Sequence, residues 1–265
     1  MSEAESIGQI LAGKSALVFG VANHRSIAWA IAQSLSSAGA RMAYTFQGER
    51  LESGVRELAG SLDPDAPVLP CDVTSDEDLD RVFDAVGQRF GGLDILIHSV
   101  AFAAKHDLEG RFTDTSRANF AMALDISAYS LTAMVKRAEP LMEQRGGGTV
   151  LTMTFLGGER AVPHYNVMGV AKAALDSSIR YLALELGPKN IRVNGISAGP
   201  IRTLAGRSIS GFTVMEEEME KRAPLKRNVD AGEVGSTALF LCSPMARGIT
   251  GEVLFVDAGY HITGI

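Results

Sequence analysis

Cysteine is scarce in this chain: two among 265 residues, Cys71 and Cys242, far apart and in no CxxC pair. That excludes a disulfide scaffold and reads as two reduced, buried thiols in a cytoplasmic protein. No uninterrupted apolar run reaches the ~18 residues that a membrane span needs. The first residues, Met1 to Glu5, are acidic where a secretory leader is basic. Neither a membrane span nor export is expected. The five histidines (His24, His98, His106, His164 and His261) show no HExxH or comparable spacing, so no metal site is expected. Basic charge is also short. With 25 Lys and Arg against 31 Asp and Glu, the formal charge is −6, which argues against a nucleic-acid binder with a basic surface.

Glycine, by contrast, is plentiful: 28 residues exceed the usual share of ~7% and imply tight turns or close approaches of backbone to a ligand. Short β-branched runs alternate with longer stretches of helical spacing. The strand-like runs are Ala16–Phe19, Arg41–Phe46, Pro67–Leu69, Leu93–Ile97, Thr149–Thr152, Ile191–Ile196 and Val253–Val256. Helical spacing marks Ile27–Leu35, Leu79–Phe90, Thr132–Leu141 and Ala171–Leu186. This rhythm predicts α/β architecture: one doubly wound parallel sheet of Rossmann type, helices on both faces, and residues 1–265 as a single domain. An insertion at about 203–221, with Gly206, Gly211 and a helix rich in Met and Glu, interrupts the rhythm and reads as a substrate-binding lid.

After the first strand, Gly20 permits a sharp turn, and Ser26 stands where an N-cap belongs, just before Ile27. A helix N-terminus there suits an anion, although the full GxGxxG fingerprint is missing. Gln47 ends the second strand where a carboxylate often reads the ribose of NAD. An amide does not repel a 2′-phosphate, so NADPH stays open beside NADH. Asp72 and Val73 follow the third strand, and Ser99, Val100 and Ala101 follow His98 in the fourth. Both groups fall where loops flank adenine and the nicotinamide ribose.

The sharpest constellation is Tyr165 with Lys172. On a helix, seven residues turn through about 700° and rise roughly 10 Å, so both share one face. Four residues, the spacing of common carbonyl reductases, rise only ~6 Å. A more distant phenol suits hydride addition to the β-carbon of an enoyl thioester, where charge develops on an oxygen two carbons further away.

In these segments the chain resembles the bacterial enoyl-acyl-carrier-protein reductases of the short-chain dehydrogenase/reductase superfamily, from about Leu11 to its end. The likeness is carried by Gly20–Ala28, Thr45–Gln47, Cys71–Val73, His98–Ala103, Asp125–Ser130, Tyr165–Lys172, Arg192–Thr203 and Gly251–Val253. It implies an oxidoreductase of fatty acid synthesis that reduces trans-2-enoyl thioesters on acyl carrier protein with NADH. It also implies a cytoplasmic homotetramer. Gly20, Ser26, Ile27, Gln47, Asp72, Val73, Ser99, Val100, Ala101, Lys172, Ile201, Arg202, Thr203, Leu204 and Ala205 would contact the dinucleotide. Tyr165 would bond the thioester carbonyl, with Lys172 as its catalytic partner, and Ala103, Phe155 and Met168 would line the substrate site. Phe155 departs from the second tyrosine usual in the bacterial members and resembles the phenylalanine of mycobacterial long-chain enoyl reductases. It has no proton to donate.

Phe102, Ile209, Phe212 and Met215 are further candidates for an acyl channel. Arg207, Lys221, Arg222, Lys226 and Arg227 are candidates for a basic dock for the acidic carrier protein. Three rival readings stand beside these: a 3-oxoacyl reductase, a non-catalytic dinucleotide sensor, and a serine hydrolase. The last rests on Gly195–Gly199 matching GxSxG, with Asp257 and His261 following.

Overall fold

The computed structural model describes residues 9–203 and 212–264. In chain order, β1 (Ser15–Phe19) leads to α1 (Ile27–Ser37), β2 (Arg41–Phe46), α2 (Glu49–Leu62), β3 (Val68–Pro70), α3 (Asp76–Phe90) and β4 (Ile95–His98). A short α4 (Lys105–Glu109) precedes α5 (Arg117–Leu124), which runs through a widened π turn at Asp125–Tyr129 into α6 (Ser130–Glu143). Then come β5 (Gly148–Thr154), α7 (Asn166–Leu186), β6 (Ile191–Ala198), α8 (Phe212–Arg222), α9 (Ala231–Cys242) and β7 (Val253–Val256). All seven strand-like runs of the sequence are strands. They form one parallel sheet in the order β3-β2-β1-β4-β5-β6-β7.

Alternation along the strands divides the core in two, as the strand period of two requires. Ala16 and Val18 of β1, Ile95 and Ile97 of β4, and Ile196 and Ala198 of β6 face one layer, where Trp29, Ile31 and Leu35 of α1 meet Val234, Ala238 and Leu241 of α9. Leu17 and Phe19, Leu96, Ile191 and Val193 face the other, against α3, α6 and α7. Cys242 lies in the first layer and Cys71 in the second; both thiols are free and buried, and burial pushes each up to about 12. Among the described residues, no helix is long and apolar enough to cross a membrane.

Local chemistry sets the ends of the helices. Ser75 caps α3 by accepting from the Asp78 N–H at 3.2 Å, three acids occupy its first turn, and Gly91 ends it at φ 68°. Asp230 and Glu233 close a reciprocal capping box on α9.

At the amino edge of the sheet, Asp94 is 4% exposed and gathers Lys14 Nζ at 2.9 Å, Ser15 N–H at 2.9 Å and Arg145 Nε at 3.1 Å. Burial alone would raise its pKa; the hydrogen bonds from Lys14 and Ser15 and the nearby cations outweigh burial and hold it below the usual range. The carboxylate therefore stabilises the fold above its unfolded pKa, and that contribution is lost as pH falls through the lowered native value. Asp94→Ala is expected to cost about 3 kcal/mol in urea unfolding near neutral pH, the lower end for a broken buried pair because both cations can rehydrate. A loss below about 0.5 kcal/mol would show the cluster to be ordinary surface charge.

Candidate active site

Strand order reverses between β1 and β4, and the loops leaving their carboxyl ends open a crevice there. Gly20 lies at φ 100°, and a Cβ on it would stand 2.0 Å from the Ser99 carbonyl oxygen, so only glycine lets these two loops approach. Ser26 occupies the N-cap position of α1, but its side chain does not cap the helix, contrary to the sequence expectation. Its hydroxyl donates instead to the Asn23 carbonyl at 2.6 Å and closes the loop. The first N–H groups of α1, at Ile27 and Ala28, consequently have no acceptor among the described residues. They remain available to an anion.

Around this turn, Gln47 is exposed at the tip of β2, Asp72 and Val73 are half-buried beyond β3, and Ser99 and Val100 are half-buried beyond β4 beside exposed Ala101. Asp72 is held by its own turn, accepting from the Thr74 N–H at 2.9 Å and the Thr74 hydroxyl at 2.7 Å. Ile201 and Thr203 are half-buried after β6. Arg202 is turned away onto α8, where its Nε donates to both Glu216 carboxylate oxygens at 2.8 and 2.9 Å. Leu204 and Ala205 lie outside the described residues. A glycine turn, an uncapped helix start and half-buried valine walls fit a dinucleotide.

Lys172 is 5% exposed, and its Nζ donates to the Met153 carbonyl at 2.7 Å, which locks α7 onto the end of β5. Burial lowers its pKa to about 8, against the opposing carboxylate of Asp176 one turn further on. Tyr165 is 7% exposed, and burial, with a smaller push from Asp176, raises its phenol well above the usual value. The hydroxyl therefore stays protonated as a donor throughout the physiological range.

Beneath them, His98 is fully buried. The Ser130 hydroxyl donates to the Ile126 carbonyl at 2.6 Å and so accepts from His98 Nε2 at 2.9 Å; His98 Nδ1 accepts from the Thr152 hydroxyl at 2.7 Å. Burial, and then the Lys172 ammonium, push this imidazole down to about 3, so it is a neutral strut between β4, β5 and α6.

One sequence expectation needs correction. Tyr165 does not share a helical face with Lys172: α7 begins at Asn166, and Tyr165 precedes it at φ −109°, ψ −27°. Its direction is set by a turn, not by helical phase. Its ring meets Phe155 edge-on, with centroids 4.8 Å apart and planes at 62°. Met168, Leu108 and Ala171 complete this apolar cluster, with Ala103 and Val162 against it. A small cavity of about 40 Å³ opens beside Phe155, lined by Leu156, Val162, Met215, Met219 and Tyr260 and, on its polar side, by Ser197 and Asp257. Of the channel candidates, Met215 is in this wall, Phe102 is exposed, Phe212 is half-buried on α8, and Ile209 lies outside the described residues.

A family model described as enoyl-(acyl carrier protein) reductase matches residues 20–261. The chain belongs to this family. It is 54% identical over 254 residues to the enoyl-acyl-carrier-protein reductase (NADH) of Bacillus subtilis, covering 96% of this chain and 98% of that one. With the corresponding NADH enzyme of a Nostoc species it is 54% identical over 258 residues, covering 96% and 99%. The crystal structure of the Bacillus cereus enoyl-acyl carrier protein reductase with NADP+ and indole naphthyridinone superposes with a TM-score of 0.94 at 53% identity, covering 97% of this chain and 100% of that one.

Within this reductase the hydrolase motif is a coincidence. Ser197 lies inside β6, and no hydrogen bond joins it to His261. The His261 ring stacks on Phe255 at 4.0 Å and turns Nδ1 to Asp257 at 3.0 Å. The basic dock also loses support. Lys221 and Arg222 pair with Glu218 at 3.5 and 3.0 Å, Arg227 pairs with Glu233 at 2.7 Å, and Lys226 donates to the Lys221 carbonyl; Arg207 lies outside the described residues. Glu218 on the same helix and Glu233 on the next thus offset three of these cations.

The sequence reading missed Leu156, Val162, Met219 and Tyr260 in the cavity wall, for which only their nearness to the quoted motifs was a signal. It also missed Gly157. A Cβ there would lie 2.4 Å from Tyr165 Cδ1 and 3.1 Å from Phe155 Cδ1. Gly157→Ala is expected to push the phenol aside and lower turnover about 100-fold, with NADH affinity unchanged by fluorescence titration. Turnover within threefold of the parent would mean that the ring is not held by this contact.

Proposed function

We infer that this reductase saturates the trans-2 double bond of enoyl thioesters carried on acyl carrier protein, in the cytoplasm, with NADH as the reductant. Residues 1–265 act as one domain, with about 203–221 as its lid. Gly20, Ser26 and Ile27 would hold the pyrophosphate; Gln47, Asp72 and Val73 the adenosine; and Ser99, Val100, Ala101, Lys172, Ile201 and Thr203 the nicotinamide half. The bound dinucleotide supplies hydride to the β-carbon.

The observation that carries this reading is the buried, protonated Tyr165 phenol set in an apolar cluster with Phe155 and Met168, with a buried cation one helical segment beyond. The Tyr165 hydroxyl donates to the thioester oxygen as negative charge builds on it, which lowers the barrier to β-addition. The Lys172 ammonium has donors beyond the one spent on Met153, and these hold ribose hydroxyls and favour the enolate electrostatically. Phe155, Met168 and Ala103 exclude water from the reacting end. Phe155 donates no proton, so donation to the thioester oxygen falls to Tyr165. Exposed Tyr181 and Leu184 on α7, with Tyr129 on the π turn, give apolar helix faces on which a homotetramer could assemble.

With crotonyl thioester, Tyr165→Phe is expected to lower kcat by about 10²- to 10³-fold while NADH still binds; an unaltered kcat would remove the phenol from the reaction. A dinucleotide sensor would bind NADH and never oxidise it. Running the same assay with NADPH tests the preference for NADH. In the free enzyme the lysine holds its proton below its lowered pKa and loses it above. The pH profile of kcat/KM should therefore fall on an alkaline limb near pH 8, set by Lys172 at about 8. A flat profile to pH 9.5 would contradict that assignment.

A further inference from the structure

Two residues flanking Tyr165 have left-handed backbones, His164 at φ 61° and Asn166 at φ 37°. Side chains other than glycine enter this region at a cost, asparagine with the least. Such strain persists only where its surroundings enforce it, and it gathers at active sites. Here the enforcing contacts are visible. Asn166 Nδ2 donates to the carbonyl oxygens of Asp107 at 2.8 Å and Gly110 at 2.9 Å, with that of Leu108 at 3.4 Å. These are carbonyls at the end of α4 that find no partner inside so short a helix. One amide thus fastens the residue after the phenol to a segment reached from β4.

That segment forms part of the acyl side of the site. Leu108 is buried in the same cluster as Tyr165 and Met168, and Ala103 packs against it. Asn119 Nδ2 meets His106 Nε2 at 2.9 Å and ties α4 to α5 as well. Movement of α4 would pull on Asn166, and Asn166 turns directly into Tyr165.

We propose that Asn166 is a positioning residue: its amide couples the Ala103–Gly110 segment to the direction of the Tyr165 hydroxyl. This rests on the reading of Tyr165 as the donor to the thioester oxygen. It also explains how the phenol can be aimed from outside the helix that carries Lys172.

Two substitutions separate the fastening from the backbone it accompanies. Asn166→Gly relieves the left-handed conformation but removes the amide. Asn166→Asp keeps shape and left-handed tolerance but turns oxygens towards the carbonyls. Each is expected to lower kcat by about 10- to 100-fold, with the dissociation constant for NADH within twofold of the parent and an unchanged far-ultraviolet spectrum. In the double variant Asn166→Gly/Tyr165→Phe, the asparagine substitution should cost nothing beyond Tyr165→Phe alone, because the group it aims is gone. A merely structural role would multiply the two losses and weaken NADH binding as well. Either of those results, or a kcat within threefold of the parent for either single variant, would overturn the proposal. Full activity of Tyr165→Phe would instead sink the donor reading itself.

Discussion

A primary ammonium with only 5% of its surface exposed needs a fixed oxygen to answer it, and the site is organised around that requirement at Lys172. The Met153 carbonyl supplies the oxygen and, in doing so, docks α7 against the carboxyl end of β5. The same cation lies near enough to His98 to help keep that imidazole neutral, while the Ser130 hydroxyl, spent on Ile126, sets the tautomer that joins β4, β5 and α6. Burial that depresses a lysine and raises a tyrosine acts on the two groups in opposite senses. The outcome is a cation that gives up its proton more readily than usual and a phenol that keeps its own.

Much of this was legible in the sequence. The inner strands stood out because residues buried on both faces of a parallel sheet leave a continuous hydrophobic signature, as at Ile95 to Ile97. Gly20, Asp72 and Val100 could be assigned to one edge because each follows a strand, and parallel strands put their carboxyl ends together. The helical phase linking Tyr165 to Lys172 was misread, because the backbone turn at Asn166 depends on oxygens of a segment some sixty residues earlier in the chain. Ser26 misled for a related reason: a serine at an N-cap position can satisfy its own loop in place of the helix. Leu156, Val162 and Tyr260 carry no pattern of their own and join one wall only when β5 and β7 are brought into the same sheet.

Charge is handled differently at the two edges of the sheet. At the amino edge Asp94 is surrounded by donors on three sides and serves only stability. Beyond the carboxyl edge, Arg202 is committed to Glu216, so the first turns of α8 are bound to the chain leaving β6. A counted excess of cations in that segment therefore says little about the field a partner meets. The neighbouring acids decide it: Glu218 on α8 and Glu233 on α9 each take up cations of this segment.

The two buried thiols have a practical consequence. Cys242 belongs to the layer of α1 and α9, and Cys71 to the layer of α3, α6 and α7. With both raised to about 12 and shielded from solvent, neither reacts until its own side of the sheet opens. The native chain thus carries one silent label site per layer, and the order in which alkylating reagent captures them during slow unfolding reports which half of the molecule comes apart first.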